Sequence, residues 1–462
     1  MNTVRTRIAP SPTGDDIHIG NLYTALINFA VARKNKGQFI IRIEDTDRVR
    51  YREGAEQRIL ASIKAFGLVY DEGPDIGGPH APYRQSERLP EYKKYALELV
   101  EKGAAYYCVC TKERLEALKE EQVKNGQKTK YDKHCLAIQE EVKKEVENGT
   151  PYVIRLNVMP DKKMWFKDLI RGEISISSNE VDDQVLLKSD GFPTYHLGVV
   201  VDDHLMGITH IIRAEEWISS TPKHVLLYES FGWEQPIFAH LPILRNPDKS
   251  KLSKRKNPVW AAWYLEEGYL PEAVLNYLAL MGWSHPEGKE IFSLQEFIEV
   301  FDLKRINVVG PVFDIKKLTW MNQQYIQNMA DDELIEKIVT FYKDKNLDKD
   351  MIRKLLQILK TRMNTLKDFE SLTAFFFTAP DVLPRDVVER EVAIDLYEAL
   401  STVPQWQQDD IFLAFKSVLE KHSIKMPVLY YILTGNERGL PLPQAIEILG
   451  KEETLSRLRV SR

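Results

Sequence analysis

The stretch VRTRIAPSPTGDDIHIGNLYTALINFAVARK, residues 4–34, has a turn rich in proline and glycine between two regular elements. The run VRTRI before the turn is typical of a strand, whereas Leu22, Leu26 and Phe29 after it recur at helical spacing. The next run, QFIIRIED, is typical of a buried strand. This order of strand, helix and strand predicts an α/β fold with a Rossmann-like, doubly wound parallel sheet.

The turn lies where a helix begins, and such a position favours an anionic ligand. The first N–H groups of a helix lack partners within it, and the helix dipole adds positive charge at the same end. We expect Gly14 and Gly20 to let the backbone approach a ligand closely, with His18 as a directed donor. The turn therefore predicts a phosphate site. Taken alone, it is also compatible with an ordinary turn that carries a solvent-facing histidine.

Length and composition limit the classes of protein that need to be considered. The chain has 462 residues and a formal net charge of −5. A chain of this length is expected to form about two to four domains. No uncharged apolar run approaches about 18 residues, so neither a membrane span nor secretion is predicted. We therefore expect a cytoplasmic protein without a membrane partner.

The sequence pattern changes along the chain. Strands alternate with helices to about residue 105, and the next 88 or so residues mix a charged helix with strand-like runs in which Asp190–Gly191 predicts a hairpin. The sheet pattern resumes with GVVVDDHLMGITHIIRAEEW at 198–217, and Thr221 is the predicted cap of a later helix. Amphipathic helices follow. The predicted domains are a sheet domain of residues 1–105 and 194–240, an inserted α+β domain of 106–193, a connecting region of 241–325 and an all-α domain of 326–462.

A basic loop lies far downstream of the turn. The segment NPDKSKLSKRKNP, residues 246–258, contains Lys249, Lys251, Lys254, Arg255 and Lys256. Lysine side chains act as point charges that can neutralise a polyphosphate. The loop therefore predicts the second half of a phosphate site, although a loop of this composition is also typical of solvated surfaces and unspecific nucleic-acid contacts.

Together, the two segments resemble a known family. HIGN at 18–21 and KLSKR at 251–255 are similar to the two signature motifs of the class I aminoacyl-tRNA synthetases. The segments RIAPSPTG, RIEDTDR, FPTYHL and IRAEEW occur in the order found in the bacterial-type glutamyl-tRNA synthetases. The chain is therefore identified as a member of that family.

The resemblance implies an enzyme, a glutamate–tRNA ligase. It would activate L-glutamate with ATP to glutamyl-adenylate and transfer the glutamyl group to the 3′ end of tRNA(Glu). Attack of a carboxylate on the α-phosphate needs alignment and charge stabilisation rather than a base. Mg²⁺ is expected on the phosphates. The resemblance also implies that the inserted domain and the connecting region contact the acceptor stem and that the all-α domain binds the anticodon.

Site residues carry over one by one onto the matching positions. Arg7 and Arg213 suit bidentate recognition of carboxylates, and Glu44 suits the ammonium group. The resemblance implies catalytic roles for His18, Lys251 and Lys254. It implies an amino-acid pocket of Arg7, Ala9, Ser11, Glu44, Tyr195, Arg213 and Trp217. It implies ATP contacts from His18, Gly20, Glu216, Leu244, Lys251 and Lys254.

The cysteines predict a metal site. All three, Cys108, Cys110 and Cys135, lie in one short segment, and clustered cysteines in a cytosolic chain favour a metal over disulfides. With Tyr131 they resemble the structural zinc site found in a subset of the family. His134 is the rival fourth ligand, because imidazole is the commoner partner of zinc.

The opening turn departs from the family pattern at one point. Three residues, Asp15, Asp16 and Ile17, lie between the glycine and the histidine, where the family usually has two. We expect this extra residue to bulge the turn without moving His18. Substitution of the aspartates is then expected to matter far less than substitution of His18.

In the tail, Arg362 matches the position at which an arginine inspects the anticodon in family members that reject tRNA(Gln). The prediction is a monomer that prefers tRNA(Glu) over tRNA(Gln). The alternatives are a non-discriminating enzyme that also charges tRNA(Gln), a shortened relative that glutamylates a modified tRNA base, a nucleotidyltransferase and a non-catalytic RNA-binding paralogue.

Overall fold

The structure of the protein is a computed structural model in which the chain forms two compact units. The first unit comprises Met1–Trp263 and Leu275–Asp314, and the second comprises Tyr264–Val274 and Ile315–Arg462. Among the described residues, no helix combines the length and the apolar character needed to cross a membrane. The structure describes residues 3–252, 258–380 and 385–460.

The strands of the first unit are short and belong to several hydrogen-bonded sheets. Their bounds are β1 Arg5–Ile8, β2 Gln38–Ile41, β3 Ala105–Cys108, β4 Val153–Leu156, β5 Lys163–Asp168, β6 Gly172–Ser177, β7 Val185–Leu187, β8 His210–Ala214 and β9 Ile237–Leu241. The helices of this unit are α1 Ile19–Lys34, α2 Ala55–Ala65, α3 Leu89–Glu101, α4 Lys112–Lys124, α5 His134–Ala137, α6 Gln139–Glu147, α7 Tyr195–Leu205, α8 Thr221–Phe231 and α11 Leu294–Val300, while α9 Ala261–Glu266 and α10 Pro271–Ala279 cross its boundary.

The centre of the first unit is parallel, as the sequence predicts. Strand β1 pairs with β2 in parallel, and β8 pairs with β9 in parallel. The chain before β8 lies beside β1, because the Thr209 N–H donates to the Arg5 carbonyl over 3.0 Å. The connections β1–α1–β2 and β8–α8–β9 are strand–helix–strand crossovers. The predicted Rossmann-like class is confirmed.

Helix α1 lies in contact with both parallel pairs of strands. Most of its side chains are buried, including Leu22, Leu26 and Phe29 of the sequence pattern. The Asn28 amide is fully buried and donates to the Ile212 carbonyl of β8 over 3.0 Å. This bond fixes the height of α1 relative to β8, and so the position of the turn from which α1 begins.

Residues 105–187 add two further groups of strands. Strands β3, β4 and β7 form an antiparallel sheet, and helices α5 and α6 contact β3. Strands β5 and β6 form an antiparallel hairpin, and Asp168 at the end of β5 pairs with Phe238 of β9. One part of the predicted insertion thus extends the sheet that contains β8 and β9. The four predicted domain boundaries remain predictions.

Three local predictions in this region need correction. The turn at Asp190–Gly191 forms, with the Lys188 N–H donating to the Phe192 carbonyl over 2.9 Å, but only a bridge at Pro193 follows before α7 begins. Residues 198–205 of the predicted run are helical, because a run buried on all sides has no periodicity that separates helix from strand, whereas His210–Ala214 of the same run form β8 as predicted. Thr221 is the first residue of α8 and not its cap, which is Ser220.

The second unit is helical in its described residues, as predicted. Its helices are α12 Ile315–Asn328, α13 Asp331–Phe341, α14 Lys349–Leu359, α15 Asp368–Phe377, α16 Val387–Ser401, α17 Gln408–His422, α18 Met426–Thr434, α19 Leu442–Leu449 and α20 Lys451–Val460. One core packs Leu355, Leu356 and Leu359 of α14 against Ile335 and Ile338 of α13. Another core gathers buried residues from α16, α17, α18 and α19.

Candidate active site

His18 caps the first helix with its own ring. Its backbone is extended, and its Nδ1 atom accepts a hydrogen bond from the Gly20 N–H over 3.0 Å. Because Nδ1 is the acceptor, the proton of the neutral ring resides on Nε2. The ring therefore stabilises the helix start through Nδ1. A side chain at Gly20 would begin 3.2 Å from that Nδ1 atom, so the glycine keeps the cap open.

Gly14 has a different use from the one predicted. A Cβ atom at this position would lie 2.4 Å from the Trp260 ring, so the close approach is to a side chain of the protein. Trp260 also forms an antiparallel bridge with His18. The glycine of the turn thus lets the tryptophan pack beside the histidine.

The two aspartates of the turn have unequal environments. Asp15 is exposed and pairs with Arg52. Asp16 is buried, accepts from the Ser62 hydroxyl over 2.8 Å and accepts from the Ala262 N–H over 2.7 Å. The expected tolerant bulge therefore describes Asp15, whereas Asp16 links the turn to two other segments.

The first cavity lies between the His18 turn and the basic loop and has a volume of about 280 Å³. Across it, the Lys251 ammonium lies 2.5 Å from a Glu216 carboxylate oxygen, and both side chains are partly exposed. Leu244 is buried in the wall and accepts from the Leu252 N–H over 3.1 Å. Lys254 lies outside the described residues. The structure thus brings His18, Gly20, Glu216, Leu244 and Lys251 to one cavity.

Arg7 belongs to a buried network of charges. Its Nε and Nη2 atoms both donate to Asp203, at 3.1 Å and 3.1 Å. Asp203 also accepts from Arg42 over 2.8 Å, and Arg42 reaches Glu44 over 3.2 Å. Burial would raise the pKa of the Asp203 carboxyl, but Arg7 and Arg42 outweigh burial and hold that pKa below its usual value. Arg7 is therefore fixed by a carboxylate of its own protein.

Glu44 lies at the end of this network, at the wall of a second cavity. Its carboxyl is buried, and burial raises its pKa to about 6 in spite of the attraction of Arg42 and Arg7. A second positive charge beside Glu44 would favour its ionised form. The geometry thus suits a cationic group of a ligand.

Arg213 is buried as deeply as Arg7 but has neutral partners. Its Nε donates to His240 over 3.2 Å, and its Nη1 donates to Tyr195 over 3.1 Å and lies 3.2 Å from His224. Its Nη2 donates to the Thr221 hydroxyl over 2.8 Å. Each acceptor is uncharged, so the guanidinium keeps a positive charge that its hydrogen-bond partners do not offset.

The second cavity collects the predicted amino-acid residues. It encloses about 280 Å³, and the Tyr195 and Trp217 rings lie in contact at its wall, with centroids 4.2 Å apart and planes inclined by 30°. A third cavity of about 430 Å³ continues from it past Ser11 toward Arg48 and Lys188. All seven predicted residues line the second cavity, namely Arg7, Ala9, Ser11, Glu44, Tyr195, Arg213 and Trp217.

The three cysteines form a compact cluster. Their Sγ atoms lie within 4.8 Å of one another, and Cys110 and Cys135 are 3.4 Å apart. The Tyr131 hydroxyl lies 3.5 Å from Cys108 and 3.2 Å from Cys110. In tetrahedral zinc sites the sulfur atoms are separated by roughly 3.8 Å, as Zn–S bonds of about 2.3 Å require. The donor set and its spacing fit a structural zinc ion.

His134 is not brought to the cluster. It is exposed, and within the described part of the chain only the three cysteines group as near neighbours here. The Arg155 guanidinium lies over the Tyr131 ring at 4.2 Å instead, and the Arg155 Nε atom is buried without a hydrogen bond. Its positive charge suits a site that holds several thiolates.

Arg362 lines a cavity of the second unit. The walls of this cavity, of about 980 Å³, also include Arg438, Asp368 and Glu437. Polar side chains with both donors and acceptors suit the edges of nucleotide bases. Arg362 thus lies among polar side chains of a cavity within one unit.

Comparisons with known proteins cover nearly the whole chain. Residues 3–320 match the family of tRNA synthetases class I (E and Q), catalytic domain, and residues 327–461 match the anticodon binding domain. A glutamate–tRNA ligase of Thermus thermophilus is 47% identical over 470 residues, which cover 98% of this chain and 99% of that protein. The chain belongs to the class I glutamate–tRNA ligases.

Other members of this family extend the comparison. The glutamate–tRNA ligase of Cellvibrio japonicus is 46% identical over 477 residues, covering 99% of this chain and 93% of that protein. The crystal structure of a glutamate tRNA ligase from Elizabethkingia meningosepticum, in complex with its amino acid, aligns with a TM-score of 0.85 at 38% identity and covers 100% of this chain and 99% of that one. The predicted family and activity are confirmed, and the anticodon domain contradicts the shortened tRNA-modifying relative.

Sequence reasoning missed the residues that hold the site arginines. Arg42, Asp202 and Asp203 form the network around Arg7, while Asp168 and the histidines surround Arg213. One pattern could have revealed part of this: two adjacent aspartates follow VVV in a run that is otherwise apolar. Buried carboxylates need buried cations, so Asp202–Asp203 predicts arginines in contact.

Proposed function

We propose that this chain joins L-glutamate to tRNA(Glu) in two steps. In the first, an oxygen of the glutamate α-carboxylate attacks the α-phosphorus of MgATP, and the bond to pyrophosphate breaks. In the second, a ribose hydroxyl of the terminal tRNA nucleotide attacks the carbonyl carbon, and AMP leaves together with a proton. The nucleophile of the first step is already ionised, so alignment and charge stabilisation provide the catalysis.

One observation carries this proposal: the first and second cavities adjoin. They share Asn21, Thr24, Ala214 and Glu216 in their walls. A nucleotide in the first cavity and an amino acid in the second would therefore meet at this common wall. The third cavity, which continues from the second, is the proposed entrance of the tRNA end.

The second cavity offers one partner for each charged group of glutamate. The buried, unbalanced charge of Arg213 suits the side-chain carboxylate, and Glu44 suits the ammonium group. Arg7 keeps Nη1 as a nitrogen without a hydrogen bond among the described residues, which suits the α-carboxylate region. The rings of Tyr195 and Trp217 limit the length of the side chain that fits.

Phosphates would be bound from two sides of the first cavity. The Nε2 proton of His18 and the start of α1 provide donors on one side. Lys251 provides a cation on the other side once it leaves Glu216, and the resemblance assigns the same role to Lys254. These charges would stabilise the pyrophosphate as it leaves.

The test is glutamate-dependent exchange between ATP and pyrophosphate, measured with and without tRNA. We expect exchange with glutamate and tRNA(Glu) present, and a loss of about 10²-fold or more in His18→Ala. Asp15→Ala serves as the matched control, because Asp15 is exposed in the same turn. Wild-type exchange in His18→Ala, or exchange that requires another amino acid, would contradict the proposal.

We also propose a structural zinc ion held by Cys108, Cys110, Cys135 and Tyr131. A closed tetrahedral site would tie β3 to the short helix α5 without taking part in the chemistry. Metal analysis of purified protein is expected to give one zinc per chain, with loss in Cys110→Ser and Tyr131→Phe and retention in His134→Ala. Loss of zinc in His134→Ala with retention in Tyr131→Phe would show that the ligand assignment is wrong.

Arg362 is the proposed reader of the anticodon. A guanidinium can pair with one base edge and reject another, which supports preference for tRNA(Glu) over tRNA(Gln). Charging of the two transcripts is expected to differ strongly in the wild type and to converge in Arg362→Ala. Lys360→Ala, close by on the chain, is the control. Equal charging of both transcripts by the wild type would favour the non-discriminating alternative.

A further inference from the structure

Arg213 is held from two sides by chains of hydrogen bonds that begin outside the cavity. On one side Asp168, the last residue of β5, contacts His240 of β9, with its Oδ2 atom 2.6 Å from the His240 Nδ1 atom. On the other side His196 of α7 contacts His224 of α8 over 3.1 Å. No sequence motif of the family resemblance includes Asp168 or His240.

Arg213 determines which ring nitrogen carries the proton in both chains of hydrogen bonds. A guanidinium has only donors, so His240 must accept at Nε2 and His224 must accept at Nδ1. The remaining His240 proton is then on Nδ1, where Asp168 accepts it. The remaining His224 proton is on Nε2 and is donated to His196.

The chain of hydrogen bonds through His240 ends in an anchored carboxylate. The second oxygen of Asp168 accepts from the Ile170 and Arg171 N–H groups, both at 2.9 Å, so the carboxylate cannot rotate. Burial, together with the neighbouring Lys223 and Arg213 charges, lowers the pKa of His196 to about 3. Burial also lowers the pKa of His224 well below its usual range. Both histidines are therefore neutral at physiological pH.

We infer that Asp168–His240 and His196–His224 are positioning residues that hold Arg213 through uncharged direct acceptors, so that the substrate carboxylate becomes its direct anionic partner and a carboxamide is rejected. This inference rests on the proposed contact between Arg213 and the side chain of glutamate. All described acceptors around Arg213 are already used by its own donors. A carboxamide would bring its N–H groups to a wall of donors, which costs binding energy.

Two substitutions of His240 distinguish its contact with Asp168 from its contact with Arg213. His240→Asn can still donate to Asp168 but loses the acceptor for Arg213, whereas His240→Gln retains an acceptor near the Nε2 position. We expect His240→Asn to raise the KM for glutamate about tenfold, with the KM for ATP unchanged, and to reduce discrimination against glutamine by a similar factor. His240→Gln is expected to recover most of both losses. His204→Asn, at an exposed histidine of the same unit, is the control.

His196→Ala tests the second chain at a half-buried position, where folding is less sensitive. We expect a rise of about threefold in the KM for glutamate, smaller than in His240→Asn because His196 is one step further from Arg213. Wild-type values in both His240→Asn and His196→Ala would overturn the inference. Arg213→Gln separates that result from failure of the proposed function: if this variant also keeps the wild-type KM for glutamate, the contact with Arg213 itself is wrong.

Discussion

Arg7 and Arg213 are both buried on parallel strands of the first unit, and both line the same cavity, yet their surroundings differ in charge. Arg7 lies in a network in which arginines and carboxylates alternate. Three guanidinium groups there, of Arg7, Arg42 and Arg88, face three carboxylates, of Asp202, Asp203 and Glu44. Arg213 has histidine, tyrosine and threonine as partners.

The difference separates two uses of a buried cation. A charge that its own protein neutralises holds strands and helices together, because removal of either partner leaves an uncompensated ion. A charge that its own protein leaves unbalanced is costly until a ligand supplies the anion. Arg7 is thus primarily part of the scaffold of the cavity, whereas Arg213 is prepared for an anionic ligand.

The largest expected effect is on stability. Asp203→Asn leaves Arg7 and Arg42 short of a counter-charge and is expected to destabilise the protein by about 3–5 kcal/mol. Arg213→Gln removes a desolvated charge together with its neutral hydrogen bonds, so its cost should be about 1 kcal/mol. Urea unfolding followed by tryptophan fluorescence measures both.

In glutamate binding the order of the two variants should be reversed, with the larger loss in Arg213→Gln. Arg213→Gln is expected to lose glutamate binding while remaining folded. A loss of stability in Arg213→Gln as large as in Asp203→Asn would remove the distinction between the two arginines.

Asp16 provides a carboxylate counterpart to Arg213, since it too is buried among neutral groups. Asp16→Ala strands the Ser62 hydroxyl and the Ala262 N–H, and is expected to cost about 2 kcal/mol. Asp15→Ala, its exposed neighbour, should stay within about 0.5 kcal/mol of the wild type. The same unfolding experiment checks both, and equal effects would mean that the turn acts as one tolerant bulge.

The strands, the helices and the cavity residues could largely be predicted from the sequence. Helix α1 follows from its periodicity, and the segments around His18 and Arg213 carry enough specific letters to identify the family. The exception at residues 198–205 has a physical reason, because valines buried on every side give no periodic pattern.

The environments of the two arginines could not be predicted in the same way. Asp203 meets Arg7 across 196 positions of the chain, and Asp168 meets His240 across 72. Such pairs depend on how strands and helices are arranged, which local patterns do not contain. The sequence therefore indicated which side chains line the cavity, but not which of them the protein itself neutralises.

The last expected effect is a pH dependence, and it concerns Glu44, where the balanced network meets the ligand. Its folded pKa of about 6 lies above the usual value of 4.5, so the folded state holds the proton more tightly than the unfolded chain. Glu44 therefore contributes stability that is fully present below about pH 4.5 and is lost as pH rises through 6, by about 2 kcal/mol in total. The pKa of Asp203 is lowered in the folded protein, so its contribution to stability is instead lost as pH falls, and only at lower pH.

Binding should show the complementary trend, since only ionised Glu44 attracts the ammonium group. We expect kcat/KM for glutamate to fall about tenfold for each pH unit below 6, while the KM for ATP stays nearly constant. Glu44→Gln provides the control: it should lower kcat/KM at neutral pH and flatten the profile between pH 5 and about 7. If the steep acid limb persists in Glu44→Gln, another group controls it, and Glu44 then belongs to the scaffold of the cavity instead of to the ligand contacts.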